Sequence, residues 1–400
     1  MLIADLIQWR GRDAARIANG LIELIALKDG GHFAEFRFHE KSGRLALNML
    51  WDAPWMSFEP GPRPKEELAQ TAGLTGHGLC FDYFGAPSGK EAELGFPPHG
   101  EAASQRWNVQ PQSDPMSAAC RWEVRLPNAQ LHFERTTNLH DDETVVSVEE
   151  TASSEQDVDH ACHWVQHATF SPPFVSAADS SFAVSGMRGL TAPEPYEGGS
   201  LLSSNEEFLW PHAPGSDGDG CMVDLGKPFS AMGRGCLAAI QLDPGRDIEF
   251  IVAMNWKLKL GMGYCFRSKD FPWMAIWEEN CARADAPWNG KTRARGMEFG
   301  TTPFPLGREE TFRRGLLFDT PAWCVIPARG KRVARYLLFA FAIPGHIHSI
   351  ENVQVNQDSI VFHGDSGDSS FSIPAQGCGE FLSEPESFAI DRAGVTQQHP

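Results

Sequence analysis

The run Arg121-Trp122-Glu123-Val124-Arg125-Leu126, followed after Pro127-Asn128-Ala129 by Gln130-Leu131-His132-Phe133-Glu134-Arg135-Thr136, decides the fold class. Trp122, Val124 and Leu126 alternate with Arg121, Glu123 and Arg125, and Leu131 and Phe133 alternate with His132 and Glu134. A strand turns successive side chains to opposite faces, so a period of two marks a half-buried strand. Outward from these two strands, β-branched and aromatic content predicts further strands at 21–28, 32–38, 143–149, 162–170, 248–256, 312–318, 335–343 and 359–363. The 38 glycines and 28 prolines punctuate the gaps at short intervals, as a many-stranded antiparallel fold requires. Period-3.6 segments are scarce; 64–71 could form one short helix. Loops are expected at 60–65, 86–99, 171–181, 212–220 and 364–370, none biased enough to mark a flexible linker. The expectation is an all-β chain, a large antiparallel sandwich, read as a single domain over 1–400 with an N-terminal sheet folded against the main sandwich.

Composition narrows the function. A chain of 400 residues with 42% hydrophobic and 22% charged residues can bury a sizeable core. Its net charge of −18 repels polyanions, which excludes nucleic acid and anionic membrane surfaces as expected partners. No run approaches the ~20 apolar residues that span a bilayer. The opening MLIADLIQWRGR lacks a basic leader and is interrupted by Asp5, so it does not read as a signal peptide. Nine cysteines without a C-x-x-C pair suggest reduced thiols and a cytoplasmic protein.

Several motifs fail on spacing. Gly290-Lys291-Thr292 ends like a phosphate-binding loop, but Asp285 stands where the first glycine belongs. Asp217-Gly218-Asp219-Gly220 lacks the twelfth-position acid of a calcium loop and reads as a turn. Gly261-Met262-Gly263 lacks the third glycine of a dinucleotide fingerprint, and no G-x-S-x-G elbow occurs. His160, His163 and His167 invite a metal reading. On a strand, however, His163 and His167 lie roughly 13 Å apart on one face, too far to share an ion that needs ligands at about 2 Å. No metal site is expected; the alternative use is bonding to neighbouring backbone.

Trp164-Val165-Gln166-His167-Ala168-Thr169-Phe170 follows two strands and ends in a histidine, a small residue and an aromatic one. Upstream stand Asp29-Gly30-Gly31-His32-Phe33, Asn48-Met49-Leu50-Trp51 and Pro98-His99-Gly100-Glu101. Downstream stand Gly296-Met297-Glu298-Phe299-Gly300 and Phe304-Pro305. In this order the segments resemble the galactose mutarotase-like superfamily, which includes the aldose 1-epimerases, over about residues 20–345. The resemblance implies a large β-supersandwich and a sugar epimerase or isomerase that uses no cofactor. It implies Glu298 as base at the anomeric hydroxyl, His167 as acid at the ring oxygen, and His99 near that oxygen or assisting proton transfer. A Glu/His pair suits near-neutral pH, because the histidine pKa lies near ambient pH and burial lifts the glutamate. The chain departs from the epimerase pattern where an Asn-Arg pair would precede the His-Gly motif. Gly73-Leu74-Thr75-Gly76-His77-Gly78 stands there, with His77 the candidate for the arginine's space. Glu278 is the candidate counterpart of the family's sugar-binding aspartate.

Twelve tryptophans against four tyrosines offer indole faces for stacking on sugars, although most are expected in the core. The segment Trp273, Trp277, Glu278, Glu279, Asn280, Trp288, Asn289 is the densest mix of aromatic and polar groups, and Trp273, Trp277 and Trp288 join the candidate contacts. The ligand expected is a small sugar or short oligosaccharide. Two other functions stay open. A glycoside hydrolase or lyase would need a second carboxylate beside Glu298, supplied by Glu278, Glu279 or Asp285. A carbohydrate-binding module would have kept the fold and lost the chemistry.

Overall fold

The computed structural model describes residues 2–39, 47–53, 75–365 and 369–383. About 51% of the chain is strand and 6% helix, as the period-two pattern requires. Two large antiparallel sheets carry the architecture. The longer runs, in spatial order, through Ile3–Trp9, Arg12–Ala18, Ile22–Leu27, Phe33–Phe38, His77–Asp82, His160–Phe170, Arg293–Gly300, Trp273–Asn280, Arg234–Leu242 and Gly186–Thr191, then three short strands ending at Met222–Asp224. The second runs through Ser180–Val184, Ile248–Asn255, Leu260–Arg267, Lys331–Ala342, Val145–Ser154, Leu131–His140, Ser117–Leu126 and Asn108–Ser113. The N-terminal strands therefore continue the longer sheet and do not form a sheet of their own.

The residues that decided the fold class behave as their alternation demands. Val124 pairs with Phe133 and Glu123 with Glu134 across neighbouring strands. Trp122, Val124, Leu126, Leu131 and Phe133 enter the core between the sheets, where they meet Phe81, Trp164 and Met297. Fully burying a large apolar side chain stabilises by about 1.5–3 kcal/mol, so this layer is the main adhesive. Arg135, Glu150 and Trp164 form a paired polar group within it. Arg135 Nε donates to Glu150 Oε1 at 2.7 Å. Trp164 Nε1 donates to Glu150 Oε2 at 3.0 Å.

Beyond the second sheet lies a three-stranded sheet, Asn352–Val355, Ser359–His363 and Ser370–Pro374, followed by the helix Cys378–Ser383. Phe362 and Ile360 pack on Phe339, Phe341 and Val252 and cover that face.

One predicted strand is a helix. Residues 312–318 contribute to the helix Arg308–Arg314 and the two-residue strand Leu316–Leu317. Glu310 pairs with Arg313 and Arg314 at helical spacing, and Gly315 at φ 75° ends the helix. Only Thr311 is buried, so no apolar stripe announces it. The expected loop 86–99 holds a short helix, Gly89–Glu93, capped by Ser88 and Glu91, and the loop 212–220 opens with the strand His212–Pro214. The predicted helix 64–71 and loop 60–65 fall outside the described residues, as do Gly73, Leu74 and part of 364–370. No helix among the described residues is long and apolar enough to cross a membrane.

Candidate active site

The site is built by strand alternation. Along His160–Phe170, Trp164, Ala168 and Phe170 turn to the inter-sheet core, and the odd-numbered residues turn outward. Gln166 pairs with Phe299 and Thr169 with Gly296, a register that sets His167 across from Glu298. On its other side His167 faces Gly78. His167 Nε2 and Glu298 Oε1 lie 3.3 Å apart.

Gly296 makes room for this pair. A Cβ there would meet Glu298 Oε1 at 2.3 Å and Glu298 Cδ at 3.2 Å. The glycine serves side-chain space within a strand, not a turn. The His-Gly motif has an equally local reason. His99 sits at φ 60° and its N–H donates to Gly85 O at 2.9 Å. The chain then passes so near the Phe81 carbonyl that a Cβ on Gly100 would lie 1.8 Å from its oxygen. His99 is thereby held with Nδ1 3.4 Å from Cys80 Sγ and its ring 6.1 Å from that of His167.

His99, His167 and Glu298 line a cavity of about 540 Å³. Its aromatic wall is Trp277, edge-on to His167 at 5.7 Å, backed by Trp51 and Trp288, each 5.8 Å from Trp277. Trp277 Nε1 donates to Tyr196 Oη at 2.7 Å, and Tyr196 donates to Glu279 Oε2 at 2.9 Å. The Arg283 guanidinium stacks on Tyr196 and Trp288 at 4.9 and 4.6 Å.

Burial sets the proton balance. It pushes the Glu298 carboxyl well above its ordinary value. Among the described residues Glu298 Oε1 has no hydrogen-bond partner, since the approach to His167 is close but not aligned for one. Burial first, then neighbouring His99, pushes the His167 pKa down to about 3. His99 is lowered to about 4 by burial. His167 Nδ1 lies 2.9 Å from Thr169 Oγ1, whose hydroxyl faces the His167 carbonyl at 3.4 Å. With the hydroxyl donating to that carbonyl, Nδ1–H donates to Thr169 and the bare Nε2 faces Glu298.

No family model matches the sequence, and no curated protein matches it. Solved structures do match. A galactose mutarotase-like protein from Clostridium acetobutylicum superposes with TM-score 0.56 at 12% identity, over 86% of this chain and 99% of that one. The chain has the galactose mutarotase-like fold. A galactose mutarotase related enzyme from Lactobacillus acidophilus gives TM-score 0.53 at 13% identity, over 84% and 99% of the two chains. A TPR-domain containing protein from Parabacteroides distasonis gives 0.54 at 9% identity, over 86% of this chain and 50% of that one. Identities this low speak for the fold alone.

Within the mutarotase-like fold, His99, His167, Glu298, Trp277 and Trp288 converge on the one cavity. The other three candidates do not line it. His77 points into the inter-sheet core, between Gln166 Oε1 at 2.9 Å and the Tyr264 hydroxyl at 3.1 Å, so it does not fill an arginine's space over the sugar. Glu278, one residue off Trp277, faces the core and pairs with Arg295 at 2.9 Å. Trp273 shares the Trp277 face but is roofed by the following loop, donating to Pro321 O at 2.7 Å. His163 accepts the Phe84 N–H at 3.0 Å, the backbone use foreseen as its alternative. His160 pairs with Asp82 at 2.7 Å. Tyr196 and Arg283 were missed. Arg283 stands inside the aromatic-rich stretch already singled out, whereas Tyr196 lies in a proline-flanked loop without a pattern.

Proposed function

We propose that the cavity binds a sugar and that Glu298 and His167 exchange protons with its anomeric centre, interconverting the two anomers. The observation that carries this is a buried carboxyl and a part-buried imidazole 3.3 Å apart on the floor of an indole-walled cavity. The anomeric hydroxyl and the ring oxygen are bonded to the same carbon, so an acid and a base set side by side match them. Burial favours a protonated Glu298 and a neutral His167. In our reading His167 Nε2 therefore takes the hydroxyl proton and Glu298 gives its proton to the ring oxygen, the reverse of the roles that the family resemblance implies. The bond from the anomeric carbon to the ring oxygen breaks, leaving an open-chain aldehyde. Rotation about the adjoining C–C bond and reclosure then return both protons. No cofactor enters this step.

The carboxylates that the sequence offered a hydrolase do not line the cavity, where Glu194 and Glu197 are the acids beside Glu298. Glu278 is tied to Arg295 on the core side. Glu279 accepts from Tyr196 and from the Ala282 N–H. Asp285 is not among the residues lining the cavity. The test is saturation-transfer NMR of anomer exchange across aldoses and uronates, repeated with Glu298→Gln and His167→Asn. Loss of a general acid or base should slow exchange roughly 10²–10⁴-fold with normal melting curves. Two folded variants at near wild-type rate would overturn the assignment. Absence of exchange for every sugar, with binding retained, would turn the reading into a binding module.

A further inference from the structure

We infer that the ligand of this cavity is a neutral sugar of at least two rings, its reducing end over Glu298 and His167 and its next unit against Phe304 and Leu306. The inference rests on the carbohydrate reading above and specifies its substrate class. Size is the first argument. A cavity of roughly 150 Å³ accepts a benzene-sized ring. A hexopyranose adds six exocyclic heavy atoms to a six-membered ring, so by the same scaling it needs about twice that. The cavity here has about 540 Å³, room for one such sugar and most of a second.

Continuity is the second argument. Phe304 and Leu306 are shared with an adjoining hollow of about 290 Å³. Thr311 lines that hollow, is 3% exposed, and its hydroxyl has no hydrogen-bond partner among the described residues. An unpaired buried hydroxyl costs about 1–3 kcal/mol, a cost that a hydroxyl-bearing ligand would relieve. Leu190, Phe304 and Leu306 give the same region the apolar surface on which the face of a second pyranose packs.

Charge is the third argument. Glu194 and Glu197 line the main cavity, and among the described residues Arg283 is its one arginine. Arg283 Nε lies 3.7 Å from both Glu197 and Glu279. A uronate or a sugar phosphate would meet two carboxylates of the cavity wall against a single guanidinium that already lies between Glu197 and Glu279.

The test is calorimetric titration of the full chain with glucose and galactose, with cellobiose, maltose and lactose, and with glucuronate and glucose 6-phosphate. At least one disaccharide should bind tenfold or more tighter than its monosaccharide, and the two anions should bind more weakly than glucose. In Leu306→Trp, with a normal melting curve, the disaccharide-to-monosaccharide affinity ratio should fall toward one. Monosaccharides equal to or tighter than every disaccharide, a preferred anion, or an unchanged ratio in Leu306→Trp would each overturn this inference while leaving a sugar site in place. Failure of all seven ligands to bind would sink the carbohydrate reading itself.

Discussion

Replacing Gly296 by alanine separates stability from chemistry at the centre of the site. The new Cβ would lie 2.3 Å from Glu298 Oε1, 3.2 Å from its Cδ and 3.3 Å from its Cγ. Ordinary contact begins near 3.4 Å, so the carboxyl must move by roughly 1 Å. The moving atoms end a side chain, and residue 296 lies within a strand at an ordinary φ, so the backbone accepts alanine without strain. Alanine also loses less conformational entropy than glycine on folding, by roughly 0.5–1 kcal/mol. Thermal stability should therefore stay level or rise slightly. Catalysis is less forgiving, because a misplacement of about 1 Å can cost roughly 10²-fold, or about 2.7 kcal/mol in the barrier. Anomer exchange of the best aldose would be measured by saturation-transfer NMR, with melting curves alongside. A Gly296→Ala protein that melts normally and exchanges at the wild-type rate would refute both the carboxyl's role and the reason given for the glycine.

Exchange should hold its rate well below pH 6.5, since His167 protonates only at about 3, and should fall on the alkaline side as the raised Glu298 carboxyl ionises; a pH–rate profile rising with a midpoint near 6.5 would contradict this. Fold stability has the opposite trend. The fully buried His77 is lowered to about 3 by burial, so the unfolded chain takes up its proton first as pH falls from 6.5. Its stabilising contribution is fully present above pH 6.5 and is lost toward pH 3, by about 2 kcal/mol at pH 5. Melting temperature should therefore drop between pH 7.5 and 5, and His77→Gln should flatten that slope. Arg295→Met should cost about 3–5 kcal/mol in chemical denaturation by stranding Glu278, and Arg295→Met/Glu278→Leu should recover most of it.

The architecture was legible because alternation is local: Trp122, Val124 and Phe133 declare their face without knowledge of the partner strand. The site was legible in part for the same reason. His167, Glu298 and Trp277 all point to the outer face of adjacent strands. The misses are long-range. Nothing near His77 says that Gln166 and Tyr264 will enclose it. Trp273 and Trp277 have equivalent parity, and only the 316–321 segment, packed back over the sheet, separates a covered indole from a cavity wall. The helix Arg308–Arg314 was hidden because only Thr311 of it is buried, so it carries no apolar stripe.

Glu298 itself invites a duller account, as half of an ion pair with Arg293 or Arg295. The fold closes that route. Arg295 turns to the core and binds Glu278. Arg293 Nε donates to Asn280 Oδ1 at 3.1 Å. Glu298 is left 1% exposed with Oε1 unbonded among the described residues, beside an imidazole that burial keeps uncharged. A buried oxygen without a hydrogen bond costs about 1–3 kcal/mol, and an apolar residue of similar shape would avoid that cost. Gly296 adds to it, since a glycine inside a strand weakens the strand that carries the carboxyl. Two destabilising choices two residues apart, both serving to present one carboxyl to a cavity, make sense for a group whose partner arrives with the ligand.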